Sequence, residues 1–182
     1  MPEKRIQTIT VYLGANEGTD PRLKVAVREL GSWIGQSGRS LVYGGSKCGL
    51  MGELAESVLK AGGRVIGVEP RFFVEAGLVY DDIDELIVTE NMAERKAKMV
   101  ELGDAFIAFP GGTGTLEEIA EIMSAVYLGH LSAPCILYDL DGYYEGLRTQ
   151  LAKMAEKGLS YSAQQQGIHF ASTLEEIKSL LQ

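Results

Sequence analysis

The sequence predicts an α/β fold, a doubly wound and mostly parallel sheet with helices on both faces. Three observations carry that expectation. Short apolar runs alternate with helical patterns along the chain, as successive βαβ units require. The runs are continuously apolar, as in Val65-Ile66-Gly67-Val68, because a strand covered on both faces has no side left for polar residues. Glycine turns at 44–49 and 111–115 each follow such a run and open a helix. In an open parallel sheet these turns collect at the carboxyl ends of the strands, where ligands bind and where both can face one pocket.

Taken in order, Ile6 to Leu13 reads as the first strand and ends at Gly14-Ala15-Asn16. Asp20 followed by Pro21 is a cap and a first helical proline, opening a helix to about Gln36. Leu41-Val42-Tyr43 is a short strand, broken by Gly44-Gly45-Ser46-Lys47-Cys48-Gly49. The next helix carries Leu50, Leu54, Val58 and Leu59 on one side and ends at Gly62-Gly63. After the Val65–Val68 strand, residues 70–85 hold Phe72, Phe73 and a cluster of acids between Asp81 and Glu85, and read as a mobile loop. Leu86-Ile87-Val88 is a strand, Asn91 caps a helix from Met92 to Leu102, and Gly103 ends it. The strand Ala105 to Phe109 stops at Pro110, and Ile136 to Tyr138 forms another, followed by a turn at Asp139 to Gly142 and a helix to about Lys157. A polar, glutamine-rich loop from Gly158 to Gly167, the strand Ile168-His169-Phe170 and a helix from Thr173 to Leu181 complete the alternation.

Bulk composition narrows the class. A chain of 182 residues is most simply one domain, 1–182, able to bury roughly 70% of its unfolded surface. The net charge of −8 argues against nucleic acid or an anionic membrane as partner, yet leaves room for a nucleotide held by local donors. The start MPEKRIQTITVYLG lacks the apolar core of a signal peptide, and no window approaches the ~18 apolar residues of a membrane span, so a cytoplasmic protein is expected. Two cysteines form no disulfide framework: Cys135 reads as core, and Cys48 lies in a glycine loop before a helix, where a thiol pKa can be lowered. His130 and His169 lack ligand spacing, so no metal is expected.

The chemistry centres on Phe106 to Glu121, FIAFPGGTGTLEEIAE. Gly111, Gly112 and Gly114 sit between the strand and a helix whose apolar residues are Leu116, Ile119, Ala120, Met123 and Tyr127. Such a turn lets consecutive backbone N–H groups converge with the free donors of the helix start, which suits a phosphate. The plain alternative is a tight turn whose glycines serve packing alone. Thr115 and Glu118 have capping-box spacing and set an expected helix start. Glu117 stands where GxGxxG needs glycine, and no Gly-Lys-Ser/Thr follows, so neither a dinucleotide fingerprint nor a P-loop is present. Carboxylates beside an anion nest point to chemistry for the acid to do. Arg95 and Lys96 fall early in their helix, where cations are disfavoured, which suggests an anionic partner; the alternative is two solvated cations on a polar face. Glu117, Glu118 and Glu121 lie opposite the apolar stripe, the pattern of a solvated face, so spacing alone leaves catalysis undecided.

PGGTGTLEE, with VYLGAN, VYGGSKCGLMG, VIGVEP, MAERK and DGYY, resembles the LOG ("lonely guy") family of cytokinin-activating phosphoribohydrolases, often labelled lysine decarboxylases. The match runs from about Val11 to Gly158. The resemblance implies a Rossmann-like domain, a homodimer, no cofactor, and hydrolysis of the N-glycosidic bond of a nucleoside 5′-monophosphate. It places Arg95 and Glu118 on catalytic positions, and Lys96, Gly111, Gly112, Thr113, Gly114, Thr115, Glu117 and Ser124 on substrate-binding ones. Ala93, Thr113 and Cys48 depart from the common histidine, tyrosine and valine, which puts the identity of the base in question, and the tail after Gly158 has no counterpart. Glycosidic cleavage builds positive charge on the ribose, so Glu118 is expected at the ribose, Gly111 to Thr115 with Gly44-Gly45-Ser46 at the phosphate, and Arg95 between Glu118 and the nucleotide. Two other readings stand beside it: a nucleotide-binding sensor or carrier without catalysis, and a pyridoxal-phosphate lysine decarboxylase, for which no lysine is singled out.

Overall fold

The computed structural model describes residues 5–161 and 165–182. Seven strands form one sheet in the order β4-β3-β2-β1-β5-β6-β7, and every pairing is parallel. They are β1 Thr8–Tyr12, β2 Ser40–Tyr43, β3 Arg64–Pro70, β4 Glu85–Thr89, β5 Ala105–Ala108, β6 Cys135–Tyr138 and β7 Ile168–Ala171. The helices are α1 Pro21–Gln36, α2 Gly49–Lys60, α3 Arg71–Glu75, α4 Met92–Leu102, α5 Thr113–Tyr127, α6 Glu145–Glu156 and α7 Leu174–Leu180.

Alternation along each strand sends side chains to two cores. Ile9, Val11, Leu41, Tyr43, Ile107 and Phe109 pack with α1, α2 and α7 on one face. Tyr12, Val42, Val68, Phe106 and Ala108 pack with α4 and α5 on the other. Each fully buried aliphatic side chain contributes roughly 1.5–3 kcal/mol, so two filled faces hold the strand ends that carry the turns. Cys135 is core, as its apolar surroundings indicate.

Local cap chemistry decides several boundaries. The Asp20 carboxylate accepts from the Arg22 N–H at 2.9 Å ahead of Pro21, and the Asn91 side chain accepts from the Glu94 N–H at 2.9 Å. Two expectations are corrected. Residues 70–85 are not structureless: β3 runs through Pro70, α3 follows, and Val79 bridges to Ser46. A helix of five residues is too short for a helical period to register in sequence. The Thr115–Glu118 capping box does not form either. The helix begins three residues earlier, with Gly112 as its cap, and Thr115 is buried inside the first turn. Part of the glutamine-rich loop, residues 162–164, lies outside the described residues.

Candidate active site

The chain leaves β1 toward β2 on one side and returns from β4 to β5 on the other, so the sheet's switch point lies between β1 and β5. A cavity of about 460 Å³ opens there. Gly14, Asn16 and Thr19 after β1, Leu50 of α2, and Gly111 and Gly112 after β5 contribute to its wall.

The β5–α5 turn is held from behind. The Tyr144 hydroxyl donates to the Phe109 carbonyl at 2.8 Å, and the Tyr143 hydroxyl donates to the Gly111 carbonyl. Asp139 fixes this tyrosine pair, accepting from the Tyr144 N–H at 2.6 Å and pairing with Arg148 at 3.0 Å. With those carbonyls engaged, the turn offers donors. The N–H groups of Thr113, Gly114 and Thr115 precede the first intrahelical bond, Leu116 N–H to the Gly112 carbonyl at 3.1 Å. A Cβ on Gly111 would lie 2.3 Å from Thr115 Oγ1, so packing demands that glycine. Cβ atoms on Gly112 and Gly114 would meet nothing within 4 Å.

One helical turn further along α5, Glu118 points inward. Its Oε1 accepts from Arg95 Nη1 at 2.9 Å, and Arg95 Nε donates to the Val68 carbonyl at 2.9 Å. Arg95 is 5% exposed and Glu118 8% exposed, so neither is a solvated surface charge. Burial pushes the Glu118 carboxyl above its ordinary range, while the charge and hydrogen bond of Arg95 pull it back. Burial, and then Glu118, push the Tyr12 hydroxyl upward. The inward face of α5 is therefore Thr115, Glu118, Ile119, Ile122 and Met123, and Leu116, assigned to the apolar stripe in the sequence, is 45% exposed.

The first glycine turn serves this ion pair. A Cβ on Gly44 would stand 2.3 Å from Arg95 Nη2, and one on Gly45 would stand 2.4 Å from Glu69 Cγ. Neither glycine lines the cavity. Ser46 Oγ accepts from the Cys48 N–H at 3.1 Å, Lys47 N–H donates to the Leu78 carbonyl, and the Gly45 carbonyl accepts from Tyr80 N–H. Much of this turn's polar backbone is thus engaged within the fold.

Sequence-chosen residues fall into three groups. Arg95 and Glu118 are in direct contact, with Gly44 beneath the guanidinium. Gly111 to Thr115 form the turn and helix start beside the cavity, while Arg95 and Glu118 stand outside its wall, linked to it through α5. Lys96 pairs with Glu117 at 2.8 Å and Glu121 at 3.2 Å on the outer face of α5, where Ser124 is also exposed. Sequence reasoning missed Glu69, which is 3% exposed with Oε2 4.0 Å from Arg95 Nε. Its signal was an acid closing the apolar run VIGVEP. The carbonyl clamps of Tyr143 and Tyr144 were also missed.

These features define a Rossmann-like α/β protein with a helix start at its switch-point crevice and a buried arginine–glutamate pair beside it. The profile of the family described as possible lysine decarboxylase matches residues 51–181. The cytokinin riboside 5′-monophosphate phosphoribohydrolase of Rhodococcoides fascians is 40% identical over 84% of this chain and 77% of its own. An Arabidopsis thaliana protein of the same name is 35% identical over 98% of this chain and 84% of its own. A solved structure of the molybdenum cofactor carrier protein from Chlamydomonas reinhardtii superposes with a TM-score of 0.73 at 25% identity, covering 97% of this chain and 99% of that one. The chain belongs to the LOG family, whose profile carries the lysine decarboxylase description.

Proposed function

We propose that this protein is a phosphoribohydrolase, which cleaves a nucleoside 5′-monophosphate with an adenine or prenylated adenine base into free base and ribose 5-phosphate. The observation that carries this reading is the buried contact of Arg95 with Glu118, one turn along α5 from unpaired helix-start donors. The phosphate lies against the N–H groups of Thr113 to Thr115, with Gly14 and Asn16 across the cavity. Gly112 and Gly114 support this placement, since neither close packing nor a positive φ accounts for them, and a bare backbone lets a phosphate approach. Packing alone, the plainer explanation of the turn, suffices only for Gly111.

The Glu118 carboxylate faces the ribose, where it stabilises the positive charge that develops as the glycosidic bond lengthens and directs water to the anomeric carbon. Arg95, by its charge and its hydrogen bond, offsets part of the cost of burying that carboxylate. Lys96 bridges Glu117 and Glu121 at the outer rim. A homodimer fits this arrangement, because Leu116 on α5 and Leu128 at the cap of its C-terminus are exposed. Light scattering of the purified protein checks that assembly.

The resemblance of the fold to a molybdenum cofactor carrier favours one second reading, a binding protein without turnover. The two separate cleanly: nucleotide that raises the melting temperature with no base released indicates a carrier. Lysine decarboxylation fits the side chains poorly. Hydrogen bonds donated to Glu117 and Glu121 hold Lys96 more firmly charged, whereas a Schiff-base lysine must reach its neutral form. Release of base and ribose 5-phosphate from AMP, lost in Glu118→Gln, is the experiment that tests the hydrolase.

A further inference from the structure

Arg95 has one positive charge and two buried carboxyl groups beside it. Glu118 takes the hydrogen bond at 2.9 Å, and Glu69 approaches to 4.0 Å of a nitrogen already donating to the Val68 carbonyl. Glu69 Oε2 is buried and has no hydrogen-bond partner among the described residues. An ionised carboxylate without a donor is among the most costly groups to bury, whereas a neutral carboxyl in the same place costs far less. The chain nevertheless makes room for it: Gly45, at φ +85°, is the position where a Cβ would collide with Glu69 Cγ.

We propose that Glu69 is the positioning acid of this site: it carries its proton in the working enzyme, leaving Arg95 undivided as counter-ion of Glu118, and release of that proton to solvent switches turnover down. This rests on the phosphoribohydrolase reading above.

The surroundings of Glu69 favour one negative charge and not two. Arg95 reaches it from α4 and Glu118 from α5, so its ionisation adds a second anion opposite a single guanidinium. From β2 comes Tyr43, whose buried hydroxyl also lacks a hydrogen-bond partner among the described residues and is pushed upward by burial and then by Glu69. Tyr80 adds a smaller push on the Tyr43 hydroxyl and is tied by its N–H to the Gly45 carbonyl. On β4 the facing residue is Val88, which brings no charge. Burial pushes the Glu69 carboxyl up to about 7, so the second ionisation falls at neutral pH. Once ionised, Glu69 draws on the guanidinium that otherwise compensates Glu118, and the Glu118 carboxylate, still ionised, loses the donor that holds it in place. The inactive form is thus the one with both carboxyls ionised, one proton poorer than the working form.

The test is the pH profile of kcat/KM with AMP for wild type, Glu69→Gln and Glu69→Asp. Wild type falls by about tenfold per pH unit above about pH 7, whereas Glu69→Gln matches it near pH 6 and stays flat through the alkaline range. Glu69→Asp retains an alkaline limb at a displaced pH. An unchanged limb in Glu69→Gln, or a folded Glu69→Gln without activity near pH 6, overturns the proposal. Infrared titration of the wild type gives a readout independent of turnover and of variant folding. A protonated-carboxyl band present near pH 6 and lost through about pH 7 is expected, and its absence near pH 6 overturns the assignment. If wild type releases no base from any nucleotide, the hydrolase reading fails while the infrared titration still decides the proton on Glu69.

Discussion

Arg95 Nη1 donates to Glu118 Oε1 at 2.9 Å across 23 residues of sequence, and the contact between them is buried. The pair joins α4 to α5 at the carboxyl edge of the sheet, with Gly44 leaving the space that the guanidinium fills. A buried ion pair of this kind is poor stabilisation for its cost. Its position beside unpaired helix-start donors is what gives it a chemical use.

Removing either partner therefore has different consequences. Arg95→Ala leaves Glu118 buried without its counter-ion and should cost about 3–5 kcal/mol in urea unfolding. Glu118→Gln keeps an acceptor for Arg95 and should fold normally while losing at least about 100-fold in turnover. Normal turnover in folded Glu118→Gln removes it from the chemistry.

Glu69 predicts how stability varies with pH. Unfolded, this carboxyl releases its proton near the ordinary 4.5; folded, it holds it up to about 7. Between those values the unfolded chain binds fewer protons, so rising pH lowers stability, and the deficit persists above 7. Glu69→Gln removes that deficit. Its advantage over wild type should be on the order of 3 kcal/mol at pH 8 and close to nil at pH 4, measured by urea unfolding at both.

Two glycines that look alike should behave differently. Gly45→Ala meets both a positive φ and Glu69 Cγ, and should lower stability by about 1–3 kcal/mol. Gly112→Ala has φ −90° and open space around its Cβ, so its melting temperature should match wild type. The same variant should lose the stabilisation conferred by AMP, because the methyl group stands where the phosphate approaches. Thermal melts with and without AMP check both.

The tyrosine clamps separate in the same way. Tyr144 is buried, and Tyr144→Phe leaves the Phe109 carbonyl without its donor, a loss of about 1–3 kcal/mol. Tyr143 is half exposed, so Tyr143→Phe should leave stability nearly unchanged and raise KM for the nucleotide by freeing the Gly111 carbonyl. Urea unfolding and steady-state kinetics on both variants distinguish the two roles.

What the sequence made legible was local. Asp20 and Asn91 announce helix starts because a cap needs only its own side chain and the next few N–H groups. The apolar runs disclose the strands because burial on both faces leaves them no polar positions. The inward turn of Glu118 was not legible from the helical wheel, which grouped it with Glu117 and Glu121. Which side of α5 is buried depends on Arg95, supplied by a different helix, and Leu116 is exposed as a result. The pattern of Gly44 and Gly45 shows a glycine turn after a strand, while the room they make for Arg95 and Glu69 depends on contacts across β3 and α4 that a pattern does not carry. Glu69 was legible only as an odd acid at the end of an apolar strand. That its buried Oε2 meets no donor among the described residues is a property of the assembled core.

The central claim is tested most directly by incubating the purified protein with AMP and with a prenylated AMP, and following free base and ribose 5-phosphate by chromatography beside Glu118→Gln. Equal release of base and ribose 5-phosphate by wild type, abolished in the folded variant, is the expected result. AMP that stabilises the wild-type fold while no base appears from either nucleotide would contradict the hydrolase and leave a nucleotide carrier in its place.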